Sequence, residues 1–356
     1  MINTQFVLRV LIASMIAGCA TNSSDDDGTG DDDGPVAFTN GVSTLSGQAE
    51  AGFVDGARKV AKFANPVNVA FRDGTLYVAD FDNGKLRAID VDTHVTRTVV
   101  AQQGFLRPFG LAFAADGTLY VSTDNDPAGN HNLMSGTIWR VDVESGQATV
   151  VARAIGRPRG LAVLPDGRLA VADYLHHVVE LVDVSTGRVT TIAGTWDGKG
   201  MVNGAGAVAR FSAPYNVVVR GDGKLVVTDF DNNQIRLVGL DGITATLAGA
   251  TDAGFVDGTM MTARFSRPQA LSAAANGDIY VTDLGNFRVR RITGDKIETI
   301  AGDGKGGWVD SDDRLAAELY GLEGLSVVPD GSMVYVADGN RGESAPFNRV
   351  RQIKLR

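Results

Sequence analysis

Few side chains in this sequence have the types and spacing that bond making or metal binding requires. Of four histidines, His176 and His177 follow Asp173, and His131 lies in a polar stretch with Asp124 and Asp126. One imidazole of the pair, His131 and a carboxylate from Asp124 or Asp126 make a set suited to a divalent metal, calcium or zinc, with a position left open for water. Adjacent residues on a strand point opposite ways, so at most one of the pair faces such a metal unless a turn reorients them. Surface histidines are the plainer alternative, and His94 sits in a turn apart from the rest. No Ser nucleophile motif, phosphate-binding Gly loop or CxxC pair accompanies them.

A second set of candidates emerges when the sequence is compared with itself. One unit recurs: a Pro-led apolar stretch, an Asp-Gly-type turn, a β-rich stretch ending in Asp, a short polar turn and a stretch with Arg. It starts at Pro66, Pro108, Pro158, Pro214, Pro268 and Leu322, at intervals of 42 to 56 residues. Each unit supplies four short strands, with Asp-Gly and Asn-Gly pairs as hairpin turns. Six such units fit the blades of a β-propeller and exceed the periods of helical solenoids. The sixth unit offers three strands, and residues 42–47 match the fourth-strand pattern. The expected fold is therefore all-β, a six-bladed propeller closed by residues 42–47 pairing with residues 349–355, which hides two sheet edges.

In such a ring the starts of first strands and the ends of second strands share one face around the central channel. The residues after the leading Pro or Leu are Val67, Phe109, Arg159, Tyr215, Gln269 and Glu323. Their chemical diversity, beside neighbours that are nearly interchangeable, suggests a funnel lining for a ligand; a plain solvated rim is the alternative. Arg159, Tyr215 and Glu323 are suited to an anionic or amide-bearing ligand. The recurring Asp80, Asp173, Asp229, Asp283 and Asp338 are expected to accept N–H groups of the turn that follows each, and Arg87, Arg236, Arg290 and Arg351 to form ion pairs between strands. Four connections between units are long, with Asp55, Asn203, Asp257 and Asp310 expected to cap turns, and those leading to the second and third units are short.

The units resemble NHL repeats, most closely at Pro158-Arg159-Gly160-Leu161-Ala162, at residues 76–80 and at Asn232-Asn233-Gln234-Ile235-Arg236. The resemblance covers residues 42–356 and implies the six-bladed fold. Departures are Thr123 for Asp in the second copy, His176 for Asn and Glu180 for Arg in the third, and Leu322 in the sixth. For activity it implies little, since such propellers include sensor and scaffold modules, RNA-binding modules and metal-dependent enzymes.

The N-terminus reads as an address. Arg9 precedes an uncharged run, residues 10–17, too short to span a bilayer. Ile16-Ala17-Gly18-Cys19 resembles the lipobox of bacterial lipoproteins, which implies lipidation of Cys19, the sole cysteine. The expected domains are a signal peptide at 1–18, an acidic tether at 19–41 and the propeller at 42–356. Six Asp between positions 25 and 33 carry most of the net charge of −9, and that segment has too little apolar surface to fold. The remaining body is close to neutral, which argues against nucleic-acid binding. The sequence thus predicts an extracytoplasmic, membrane-anchored, monomeric module that binds a small molecule, peptide or protein, with a lean toward the outer membrane from Ala20. A metal-dependent lyase or hydrolase at the channel mouth is the alternative.

Overall fold

The computed structural model describes residues 40–344 and 346–356. The expected signal segment, Cys19 and the tether as far as residue 39 lie outside the described residues, whereas Gly41, expected to end the tether, already belongs to the closing strand. Six antiparallel sheets follow one another along the chain, five formed from consecutive strands and one formed from both ends. In the sixth blade the strand Gly41–Gln48 pairs with Asn348–Lys354, with Val42 opposite Ile353 and Thr44 opposite Arg351. Val42 and Leu45 are fully buried there, so closure adds apolar contact as well as a hydrogen-bond ladder.

Second strands such as Leu169–Asp173 and Leu225–Asp229 are buried along their whole length, because each lies between neighbouring blades. Inner strands crowd the axis, and glycine permits it. A Cβ on Gly160 would lie 2.6 Å from Asn216 Cα, and one on Gly324 would lie 2.4 Å from Asn68 Cα. Below this waist, Asn68, Leu111, Leu161, Asn216, Leu271 and Ser326 help line a central channel of about 320 Å³.

Four blades are locked by a buried arginine. Arg87 Nη1 donates to Asp80 Oδ2 at 2.8 Å and to the Lys62 carbonyl at 3.0 Å, while Nη2 reaches the Val54 carbonyl and Asp55. Arg236, Arg290 and Arg351 repeat this with Asp229 and Asn203, Asp283 and Asp257, and Asp338 and Asp310. The strand-ending aspartates also accept N–H groups, from Ala64, Arg157, Ser212, Ser266 and Tyr320. These N–H groups belong to the connection that leads into each blade; in the following turn Asp173 accepts the backbone N–H groups of Leu175 and His176, while Asp80, Asp229 and Asp283 accept the side-chain amides of Asn83, Asn232 and Asn286. The expectation of turn capping is corrected likewise for Asp55, Asp257 and Asp310, which bind the arginine and the N–H of Thr98, Thr299 and Thr44.

The arginine occurs only where the preceding connection is long, because that connection supplies its second acid or amide and a carbonyl. In the second blade Trp139 stands at the equivalent register and donates to Thr123 at 2.9 Å. In the third, Glu180 stands there.

Candidate functional site

Pairing of Pro66 with Asp80, Pro108 with Thr123, Pro158 with Asp173 and Pro214 with Asp229 puts the start of each inner strand beside the end of the second. Two sets of side chains therefore meet at one mouth of the channel. The first is the predicted set after the leading residue; the second follows the second strand and includes Phe81, Asp124, Tyr174 and Phe230.

The predicted set converges, but as a packed layer where an open funnel lining was expected. Val67, Phe109, Gln269, Glu323 and Arg159 retain only 1% to 8% of their surface, and Tyr215 is half-buried. Phe109 of the second blade meets Tyr215 of the fourth, ring centroids 5.6 Å apart, in front of the third blade. Phe81 adds to Phe109 at 6.1 Å, and Tyr174 and Phe230 flank Tyr215 at 5.2 and 5.3 Å. Phe81, Tyr174, Tyr215 and Phe230 are all partly exposed, which makes an aromatic floor at the mouth.

Arg159 stands within this floor. Its Nη2 pairs with Asp124 Oδ2 at 3.0 Å, and its guanidinium carbon lies 4.1 Å from the Phe109 ring centre. Burial works most strongly against its charge, but Asp124, Tyr215, Glu323 and Tyr174 together outweigh it, so its pKa rises. Glu323 accepts the N–H of Arg341, and burial pushes its carboxyl up to about 7 against the pull of Arg159 and Arg341. Burial also raises the Tyr215 hydroxyl, which stays protonated and able to donate.

Buried polar atoms normally find partners. Ten buried side-chain nitrogens and oxygens lack one within the described residues, and six of them belong to Asp124, Asn125, Arg157, Arg159 and Glu323. Arg159 Nε and Nη1 and Glu323 Oε1 thus place unused donors and an unused acceptor at one mouth.

Further arginines surround it. Arg107 and Arg267 precede the leading Pro of their blades with φ of 52° and 53°, a left-handed conformation that Asn65 fills in the first blade. Ala213 has the same conformation before Pro214 in the fourth blade, at φ 58°, so it belongs to the turn that the repeat shares. Arg267 lies over the Phe230 ring at 5.7 Å and Arg341 over Tyr320 at 5.3 Å.

The predicted metal set is not assembled. His176 Nδ1 bonds Asp173 Oδ2 at 2.8 Å, and its ring stacks on Trp196 at 3.9 Å. His177, at φ 60°, turns to the next blade and accepts the Ala213 N–H through Nδ1. His131 contacts Arg157 at 3.3 Å, Asp126 accepts the N–H groups of Ala128 and Asn130, and Asp124 is held by Arg159. Among the described residues no three or more His, Cys, Asp or Glu are grouped to hold a metal. Asp124, expected as a metal ligand, is paired with Arg159, and the sequence did not point to Phe81, Tyr174 and Phe230. The signal for these was their shared position after the second strand.

A closed ring of six four-stranded blades with an arginine and aromatic site at one mouth defines a β-propeller with a candidate binding face. Residues 265–292 match the sequence model of the NHL repeat. The chain is 27% identical over 292 residues to the chloroplastic protein Suppressor of Quenching 1 of Arabidopsis thaliana, covering 70% of this chain and 27% of that protein. It is 26% identical over 318 residues to NHL repeat-containing protein 2 of Gallus gallus, covering 72% and 42%. The chain thus spans well under half the length of the curated relatives it matches. Among solved structures, an auxiliary nutrient binding protein of Bacteroides thetaiotaomicron superposes with a TM-score of 0.68 at 18% identity, covering 88% of this chain and 76% of that one. The chain is thus a six-bladed β-propeller that carries an NHL repeat at residues 265–292 and is similar to NHL repeat-containing proteins.

Proposed function

We propose that this chain is a lipid-anchored, extracytoplasmic binding module that takes an anionic or amide-bearing ligand at the arginine and aromatic mouth of its propeller. The observation that carries the reading is the concentration of unpartnered buried polar atoms on Arg159, Glu323 and their neighbours. Arg159 offers N–H donors to a carboxylate or amide oxygen, and Glu323 and the Tyr215 hydroxyl complement a donor or acceptor on the same ligand. The aromatic floor supplies apolar contact for a ring or chain. The fold neighbour described as an auxiliary nutrient binding protein supports a binding role. The sequence around Cys19 supports the anchor. The lyase or hydrolase reading has fold neighbours too, described as a putative phosphatase and as a virginiamycin B lyase, but the histidines of this chain point to separate partners.

The site is tested by a thermal-shift screen of ring-bearing carboxylates and cyclic amides. Compounds that stabilise the wild type should lose their effect on a chain carrying Arg159→Met with Asp124→Asn, the second change sparing the fold an unpaired buried carboxylate. Equal stabilisation of both chains would overturn the assignment. The anchor is tested by detergent-phase partition in a bacterial host, which Cys19→Ser should abolish.

A further inference from the structure

Outer strands of a propeller are sheet edges, and this ring covers them with its own connections. The first register position of each outer strand carries an outward N–H and C=O. Thr96 exchanges both with Gly56, Thr244 with Gly204, and Val42 with Ser311, at 2.7 to 3.0 Å. In the fifth blade Gly258–Thr259 pairs with the outer strand directly. The second blade has a short connection, and the Gln102 side chain takes over, accepting the Ala148 N–H at 3.1 Å and donating to its carbonyl at 3.0 Å.

The third blade differs. Its outer strand, Val189–Gly194, has Val189 and Thr191 at the same register positions, and neither has an outward backbone partner among the described residues. Thr190 and Thr191 are exposed. A second anomaly sits behind this edge. Where four blades direct an arginine at an acid or amide of the covering connection, this blade has Glu180, buried, with Oε1 accepting from the Thr191 hydroxyl at 3.3 Å and Oε2 without a partner. The polarity of the lock is inverted, and the strand that would complete it is not supplied by the adjoining connection.

We propose that the outer edge of the third blade is a docking site for an extended segment of a partner protein, which adds a strand to Val189–Gly194 and places a Lys or Arg against Glu180. Main-chain bonds would give affinity and the cation specificity, as in other strand-addition complexes. Charge selects this occupant. Residues 20–40 of the same chain contain six Asp and no Lys or Arg, and a second copy pairing edge to edge presents a strand without a basic residue and its own Glu180.

The four internal covers supply the probe. A labelled peptide of residues 52–63 with Asp55→Lys is titrated against the full chain by fluorescence anisotropy, beside the peptide with Asp55 intact. The Lys peptide should bind at least tenfold more tightly and protect residues 189–194 from hydrogen exchange. Glu180→Arg should reverse the order of the two peptides. The closer substitution Glu180→Gln should erase the preference if the arginine variant fails to fold. Thr191→Pro removes an outward donor without breaking a backbone bond of the ladder, although it also removes the hydroxyl bond to Glu180, and should abolish binding of the Lys peptide in a chain that still melts cooperatively. Equal affinity for both peptides, absence of binding, or protection outside 189–194 would each overturn the proposal.

Discussion

Glu323 links the site to stability in a way that can be worked from the structure. Its carboxyl is buried in the ring and raised to about 7, against 4.5 for a free side chain. A raised native pKa means that the folded state holds the proton more tightly than the unfolded chain. The stabilisation is fully present below the unfolded value and is lost as pH rises through the folded one. With 1.36 kcal/mol per pH unit, the window from about pH 4.5 to 7 corresponds to about 3.4 kcal/mol at most, of which a start at pH 5 captures roughly 3. Glu323→Gln keeps the shape and removes the titration. Urea unfolding at pH 5 and pH 9 should therefore show the wild type losing about 3 kcal/mol more than the variant on the alkaline side. Glu180, also raised to about 7 by burial, adds a second loss that both chains share. Identical pH dependence in the two chains would refute the reasoning, because it would mean that Glu323 is solvated as a carboxylate in the native ring.

The locks and the closure have their own consequences. Arg290→Leu strands Asp283 and leaves the Val256 and Arg264 carbonyls without that donor, and should cost about 3–5 kcal/mol in equilibrium unfolding. Adding Asp283→Asn to that variant should recover part of the loss, and no recovery would count against charge as the cause. Deleting residues 42–47 removes buried Val42 and Leu45 and opens the sixth blade, so the melting midpoint should fall by more than about 10 °C. An unchanged midpoint would show that the ring does not depend on its closing strand.

The ring was legible because its signals are local and recur: Pro66, Pro108, Pro158, Pro214 and Pro268 each open the same four-strand pattern, and residues 42–47 repeat a fourth strand without a blade of their own. Arg87 and Asp55 were each visible as recurring residues, yet their contact depends on a connection folding back across its own blade, which spacing does not encode. The same limit governs the site. Phe109, Arg159 and Glu323 stand out by their chemical diversity at equivalent positions, but their burial reflects rings from non-adjacent blades meeting in front of the blade between them, as Phe109 and Tyr215 do. The histidines misled because His176 and His177 occupy one sharp turn, where Asp173 and the Ala213 N–H each claim one ring.

The central claim is that Arg159 and Glu323 form the working centre of a ligand site. Its most direct measurement is the calorimetric affinity of a compound from the ligand screen, for the wild type and for the chain with Arg159→Met and Asp124→Asn. The loss of charge-assisted bonds from Arg159 predicts a fall of tenfold or more, on the order of 1.5–3 kcal/mol. Affinity retained within twofold, in a variant that still melts cooperatively, would contradict it.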